Sequence, residues 1–282
     1  MKTADEPNAA PAVQRAPIGI FDSGVGGLSV LRAVRRLLPY QSILYLADQA
    51  HVPYGARTQE EVRGFAEEIA NFLLRQGACL IVVACNAASA AALHYLREHF
   101  PGVPFVGMEP AVKPAAAITR SGVVGVLATP VTFQGTLYAS VIDRFARGIT
   151  VLEDTCPGLV REIENGRLHG PETRAILERA LRPMLAHGAD TIVMGCTHYP
   201  FVIPLIQELV GPEVQVIDPA PAVARQTARL LQASSLLVET PPAGDMTFFT
   251  SGPAENLMGI LPQLLEEQYP VQVVGWQYGK LS

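Results

Sequence analysis

The chain is short of the features that mark membrane, secreted and nucleic-acid-binding proteins. Its apolar stretches are only a few residues long, too short to cross a bilayer. The longest, residues 78–93, contains Asn86 and Ser89 and reads as a strand running into a helix. Residues 1–16 are rich in Ala, Pro and polar types and lack the apolar segment of a signal peptide, so a disordered tail is expected there. A cytoplasmic location follows. There is no run of Lys and Arg, and the net charge is −5, which argues against nucleic acid as the partner because counterion release needs clustered cations. Cysteine is scarce too. Cys79, Cys85, Cys156 and Cys196 form no CxxC pair and no Cys/His zinc spacing, so neither a metal site nor a disulfide framework is expected.

What is present is a large apolar fraction, 49% of 282 residues, enough for one large α/β domain or two of ordinary size. One phrase is written twice. Residues 77–85 read GACLIVVAC and residues 188–196 read GADTIVMGC, each an apolar run of strand character closing on a cysteine. The likeness continues upstream at the same offset: Glu61, Arg63, Glu67 and Leu74 match Glu172, Arg174, Glu178 and Leu185. A duplicated helix–strand–cysteine unit implies two related lobes, each presenting one thiol.

Strands alternate with helices nearly throughout, the pattern of two similar α/β lobes with open, mostly parallel sheets. Strands are expected at 18–22, 42–47, 79–84, 103–106, 122–128, 149–152, 190–195, 214–218 and 246–250. Helices are expected at about 28–38, 58–76, 88–99, 132–146, 171–187 and 253–266, with Pro183 kinking the fifth or ending it early. Residues 17–109 with 220–282 are assigned to the first lobe and 110–219 to the second. Ligands of open α/β sheets bind beyond the carboxyl ends of the strands. Asp22, Ser23, Cys85, Asn86, Thr129, Thr132, Cys196, Thr197 and His198 all fall at such ends, so the site is expected in the cleft between the lobes.

Taken alone, Cys85 or Cys196 is as readily a small buried hydrophobe as a catalyst; as a matched pair at strand ends they favour function. Both are expected just before helices, which would modestly lower their pKa. A thiolate serves as nucleophile, given a base and an oxyanion hole, or as general base. Two thiols on opposite faces of one carbon acid would let a proton leave one face and return on the other. Cys79 and Cys156 are read as packing residues. Asp22 is either a turn-capping aspartate or a charge facing a thiol or a substrate ammonium. His198 is suited to tuning Cys196, and Thr129 and Thr132 to capping a helix. The DSGVGG turn at 22–27 is neither GxGxxG nor a Walker motif, and its glycines permit a tight turn and close backbone approach.

The strings DSGVGGLSV, PYG, VACNAASA, EPAVKPA and GCTHYP, in this order and spacing, resemble the glutamate racemases, cofactor-independent members of the aspartate/glutamate racemase group. The resemblance runs from Ile18 to about Gly252. It implies that Cys85 and Cys196 are the acid/base pair, the first acting on the D isomer and the second on the L isomer. It implies further that Asp22 assists Cys85, that His198 assists Cys196, and that Glu164 is the acidic residue near His198. Asp22, Ser23, Pro53, Tyr54, Gly55, Asn86, Ala87, Thr129, Thr132, Thr197 and His198 match the substrate-binding positions. Ala87 departs from the usual threonine, losing a hydroxyl while keeping the backbone N–H. The implied ligand is glutamate, with no cofactor, no nucleic acid and no membrane, and with D-glutamate supplied for peptidoglycan. A homodimer is left open. The other readings are racemisation of aspartate or another amino acid, a single-thiol decarboxylase, or a non-catalytic regulator such as a gyrase modulator.

Overall fold

The computed structural model describes residues 16–282. Most of the expected tail, residues 1–15, lies outside the described residues, whereas Ala16 is engaged by Gln41 and Cys79 through its carbonyl. The first half of the chain lays down β1 (Ile18–Asp22), α1 (Leu28–Leu37), β2 (Ile43–Ala47), α2 (Gln59–Arg75), β3 (Leu80–Val83), α3 (Asn86–His99) and β4 (Phe105–Val106). After α4 (Val112–Ile118) come β5 (Val123–Ala128), α5 (Pro130–Gln134), α6 (Thr136–Phe145), β6 (Thr150–Asp154), α7 (Leu159–Glu164), α8 (Pro171–Ala186), β7 (Thr191–Gly195), α9 (Ile203–Val210) and β8 (Gln215–Ile217). The chain closes with α10 (Ala220–Ala233), β9 (Met246–Thr250), α11 (Ala254–Leu265), β10 (Val271–Val273) and a hairpin of β11 (Trp276–Gln277) and β12 (Lys280–Leu281).

The strands form two parallel sheets, ordered β10-β9-β2-β1-β3-β4 and β6-β5-β7-β8. The duplication read from the sequence is thus a duplication of topology: 2-1-3-4 recurs as 6-5-7-8. Both sheets reverse winding direction beside their first strand, between β1 and β3 and between β5 and β7, and such switch points leave a crevice at the carboxyl edge. The apolar runs alternate between two faces, as strand geometry requires. Leu80 and Val82 enter one core while Ile81 and Val83 enter the other. Ile192 and Met194 join Leu80 and Val82, so one core continues from the first sheet to the second.

Local chemistry sets several boundaries. Thr58 and Glu61 form a reciprocal capping box at the start of α2. Gly77, with φ of +90°, ends the same helix in the left-handed region. Two expectations need correction. The helix expected at 132–146 is two helices, α5 and α6, broken where Gly135 takes extended φ/ψ. Pro183 does not end α8, which runs on to Ala186. Pro183 falls in the last turn, where its carbonyl accepts from both the N–H and the ring of His187.

Candidate functional site

The expected site residues converge at the carboxyl edges of both sheets. Ser23, Pro53, Tyr54, Gly55, Cys85, Asn86, Ala87, Thr129, Cys196, Thr197 and His198 line one small cavity, together with Val160. The cavity holds about 20 Å³, room for about one water molecule. It adjoins a wider vestibule of about 350 Å³ that shares Pro53, Gly55, Thr129 and Val160 and reaches out to Arg57 and Cys156.

Cys85 follows β3 and is the N-cap of α3, its sulfur accepting from the Ala88 N–H at 3.5 Å. The expected lowering of its pKa does not occur. Burial, reinforced by the Asp22 carboxylate that faces it, pushes this thiol well above its ordinary value. The helix N-terminus opposes the shift and loses, because desolvation of a fully buried thiolate outweighs one long N–H···S contact. Asp22 fills both roles considered for it: its Oδ2 accepts from the Gly27 N–H at 2.8 Å, closing the turn, and the carboxylate engages Cys85. Burial raises its own pKa against lowering by His198 and Cys85.

Cys196 follows β7, but a tight turn at Tyr199–Val202 separates it from α9, so it is not the immediate helix neighbour that was expected. That turn brings His198 back, with Nδ1 3.7 Å from the Cys196 sulfur. His198 Nε2 meets Glu164 Oε1 at 2.6 Å, and the same oxygen accepts from the Val25 N–H at 2.8 Å. Burial works against a charge on His198, but the bonds to Cys196 and Glu164 prevail and raise it well above the ordinary imidazole value. Glu164 is held below the carboxylate range, where bonds from His198 and Val25 outweigh its burial. Sequence physics alone could not single out Glu164; in the fold it is the partner that completes a thiol–imidazole–carboxylate row.

The glycine-rich turn after β1 packs against this row. A Cβ at Gly26 would run into the His198 ring, and one at Gly24 into the Glu164 carboxylate. Close backbone approach is therefore what these glycines supply. Asn86 and Ala87 are the first residues of α3, where N–H groups have no intrahelical partner. Among the described residues, the two side-chain polar atoms of Asn86 are the buried ones with no hydrogen-bond partner. Such an amide is costly to leave dry and points to a ligand. Thr129 occupies the N-cap position of α5 without a side-chain cap bond; instead its hydroxyl lies 3.1 Å from that of Thr132.

Cys79 is half-buried and away from the cavity, as expected of a packing residue. Cys156 is buried and borders the vestibule, where burial and Asp154 push its thiol far up. The sequence reading missed Val160, which projects from the short α7 into the cavity, and Asp48, which follows β2 outside the cavity and accepts from the hydroxyl of the cavity-lining Tyr54. The strand-end rule was sufficient to find Asp48. Among the described residues, no three His, Cys, Asp or Glu side chains are grouped to hold a metal ion, and no helix is long and apolar enough to cross a membrane.

The Asp/Glu/Hydantoin racemase family model matches residues 26–227. A glutamate racemase of Pseudomonas aeruginosa is 55% identical over 253 residues, covering 90% of this chain and 95% of its own. The crystal structure of a Bacillus anthracis glutamate racemase superposes with a TM-score of 0.83 at 31% identity, over 95% of this chain and 99% of that one. The Escherichia coli glutamate racemase, in complex with L-glutamate and the activator UDP-MurNAc-ala, gives 0.79 at 32% identity, over 91% and 97%. With two cysteines, a histidine and two carboxylates gathered at the switch points of two like sheets, and with relatives of this similarity along nearly its whole length, the chain belongs to the Asp/Glu/hydantoin racemase family and groups within it with the glutamate racemases.

Proposed function

We propose that this chain interconverts L- and D-glutamate by proton transfer at the α-carbon, without a cofactor, using Cys85 and Cys196 on opposite faces of the substrate. The observation that carries the reading is that the duplicated strands β3 and β7 are followed by thiols that line one small cavity. The identity of the relatives supports glutamate as the substrate.

In this reading the Cys196 thiolate takes the α-proton of L-glutamate, the C–H electron pair stays on carbon, and the Cys85 thiol delivers its proton to the other face. The surroundings of Cys85 and of His198 differ in a way that suits this division of roles. Asp22 and burial keep Cys85 protonated, whereas the His198 imidazolium, backed by Glu164, stands beside Cys196. D-glutamate runs the sequence in reverse. The dipole and free N–H groups at the start of α3 suit a carboxylate, and the Asn86 amide and the hydroxyls of Ser23, Thr129 and Thr197 supply further bonds, with Thr132 supporting the Thr129 hydroxyl from outside the cavity lining. Water exclusion strengthens all of them as negative charge develops on carbon. We place the lobes at residues 17–109 with 220–282 and at 110–219, and assign the D-glutamate to peptidoglycan synthesis in the cytoplasm.

The test is reaction in deuterium oxide from each enantiomer. Solvent deuterium is expected at the α-carbon of the product, and Cys85→Ala or Cys196→Ala is expected to abolish racemisation. Normal racemisation by Cys196→Ala would sink the two-base reading. Competition between glutamate and aspartate decides the substrate.

A further inference from the structure

The segment that carries Tyr54 and Gly55 into the cavity is tied to a buried carboxylate outside it. Asp48 is fully buried. Its Oδ2 accepts from the Tyr54 hydroxyl at 2.6 Å and meets His51 Nδ1 at 2.9 Å. Its Oδ1 accepts from the Ser251 hydroxyl at 2.6 Å and from the Trp276 indole N–H at 2.8 Å. The partners come from loops, the short 3-10 helix at Tyr54–Ala56 and the C-terminal hairpin, and together they fill the acceptor sites of one carboxylate. The hairpin is itself anchored on α2: Arg75 donates to the Leu281 carbonyl at 2.8 Å and Lys280 pairs with Glu68 at 2.5 Å. Trp276 packs edge-on against His51, whose ring stacks on Phe65 with centroids 3.9 Å apart. This hairpin lies beyond the matched family region, residues 26–227.

We propose that Asp48 is a positioning residue for the Tyr54–Gly55 segment, and that the C-terminal hairpin, acting through Trp276, thereby sets the affinity of the site for its substrate. The inference rests on the proposed racemase reading for the identity of that substrate. Tyr54 lines the cavity, and Gly55 packs so tightly on Thr129 that a Cβ there would lie 2.7 Å from the threonine Cβ. The position of this segment therefore decides both the cavity wall and its contact with the β5–α5 corner. The carboxylate is well suited to hold it. Burial raises the Asp48 pKa, but the bonds from His51, Ser251 and Tyr54 outweigh burial and keep it ionised. Charge-assisted bonds are shorter and stronger than neutral ones.

Asp48→Asn is the isosteric test. Indole only donates, so the amide must keep its oxygen toward Trp276 and turn its NH2 toward Tyr54. The Tyr54 hydroxyl then faces a donor and loses its anionic acceptor. KM for glutamate is expected to rise about tenfold or more, with kcat within about threefold. Trp276→Phe keeps the packing, removes one donor, and is expected to raise KM about threefold. In both variants, backbone amides of residues 48–57 are expected to exchange faster. Trp276 is the single tryptophan of the chain, so its emission in wild type is expected to respond to D-glutamate. KM values within twofold of wild type in both variants would overturn the proposal, and so would unchanged exchange of residues 48–57, even where the melting temperature falls. If wild type does not racemise glutamate, the functional reading fails by itself, and the exchange of residues 48–57 still decides whether Asp48 positions the segment.

Discussion

His198 shows how one residue takes its chemistry from neighbours both near and far in sequence. Cys196 is two positions away, Glu164 lies on α7, and Gly26, which shapes the space for the ring, comes from the turn after β1. The imidazole is raised and the Glu164 carboxylate lowered, so the ion pair contributes to stability in full between the ordinary carboxylate and imidazole pKa values, about 4.5 to 6.5. That contribution fades as pH falls through the folded-state value of Glu164 and as it rises through that of His198. Proton NMR of the imidazole is expected to show His198 charged at neutral pH. Glu164→Gln is expected to bring its titration down, together with loss of racemisation. An unchanged titration would separate the two side chains functionally. Cys85 carries a contrasting lesson. Its place ahead of α3 was legible in sequence, but the direction of its pKa shift was not, because that depends on burial and on Asp22 across the sheet.

Most elements were readable because they are amphipathic or bounded by strong local signals: Gly77 after α2, the Thr58 capping box, and the short apolar runs of β3 and β7. The break at Gly135 was missed because apolar residues recur on both sides of it, Val131 and Phe133 before and Leu137, Tyr138 and Val141 after, and a single glycine is a weak breaker. Of the two outcomes expected at Pro183, the early end fails, because a proline in a last turn sacrifices only one bond. At this scale the turn between β1 and α1 is the critical element. Gly26→Ala drives a methyl group into the His198 ring, so kcat is expected to drop at least about tenfold, equivalent to roughly 1.4 kcal/mol in the barrier. Far-UV circular dichroism is expected to stay as in wild type. Retained kcat in that variant would mean that the ring can shift without loss.

For the whole molecule the decisive quantity is the 20 Å³ cavity, which admits about one water and cannot admit an amino acid. Entry of substrate is expected to part the two lobes or to move the Tyr54–Gly55 segment. Opening breaks the Val25–Glu164 bond at 2.8 Å and the bond from the Ser29 hydroxyl to the Thr197 carbonyl at 2.9 Å. Small-angle scattering is expected to show a smaller radius of gyration with D-glutamate than without it, since ligand shifts the population toward the closed form. An unchanged radius would confine opening to the Tyr54–Gly55 segment. By itself the sequence determined the alternation of strands and helices, the duplication, and the strand-end placement of Asp22, Cys85, Thr129 and Cys196, because these depend on local periodicity and on which residue follows an apolar run. Only the tertiary structure decided that the two thiols share a cavity, that Glu164 backs His198, and that Asp48 is held by Trp276. Those facts depend on long-range packing and on the free energy of charge in a desolvated interior, which no local stretch of chain encodes.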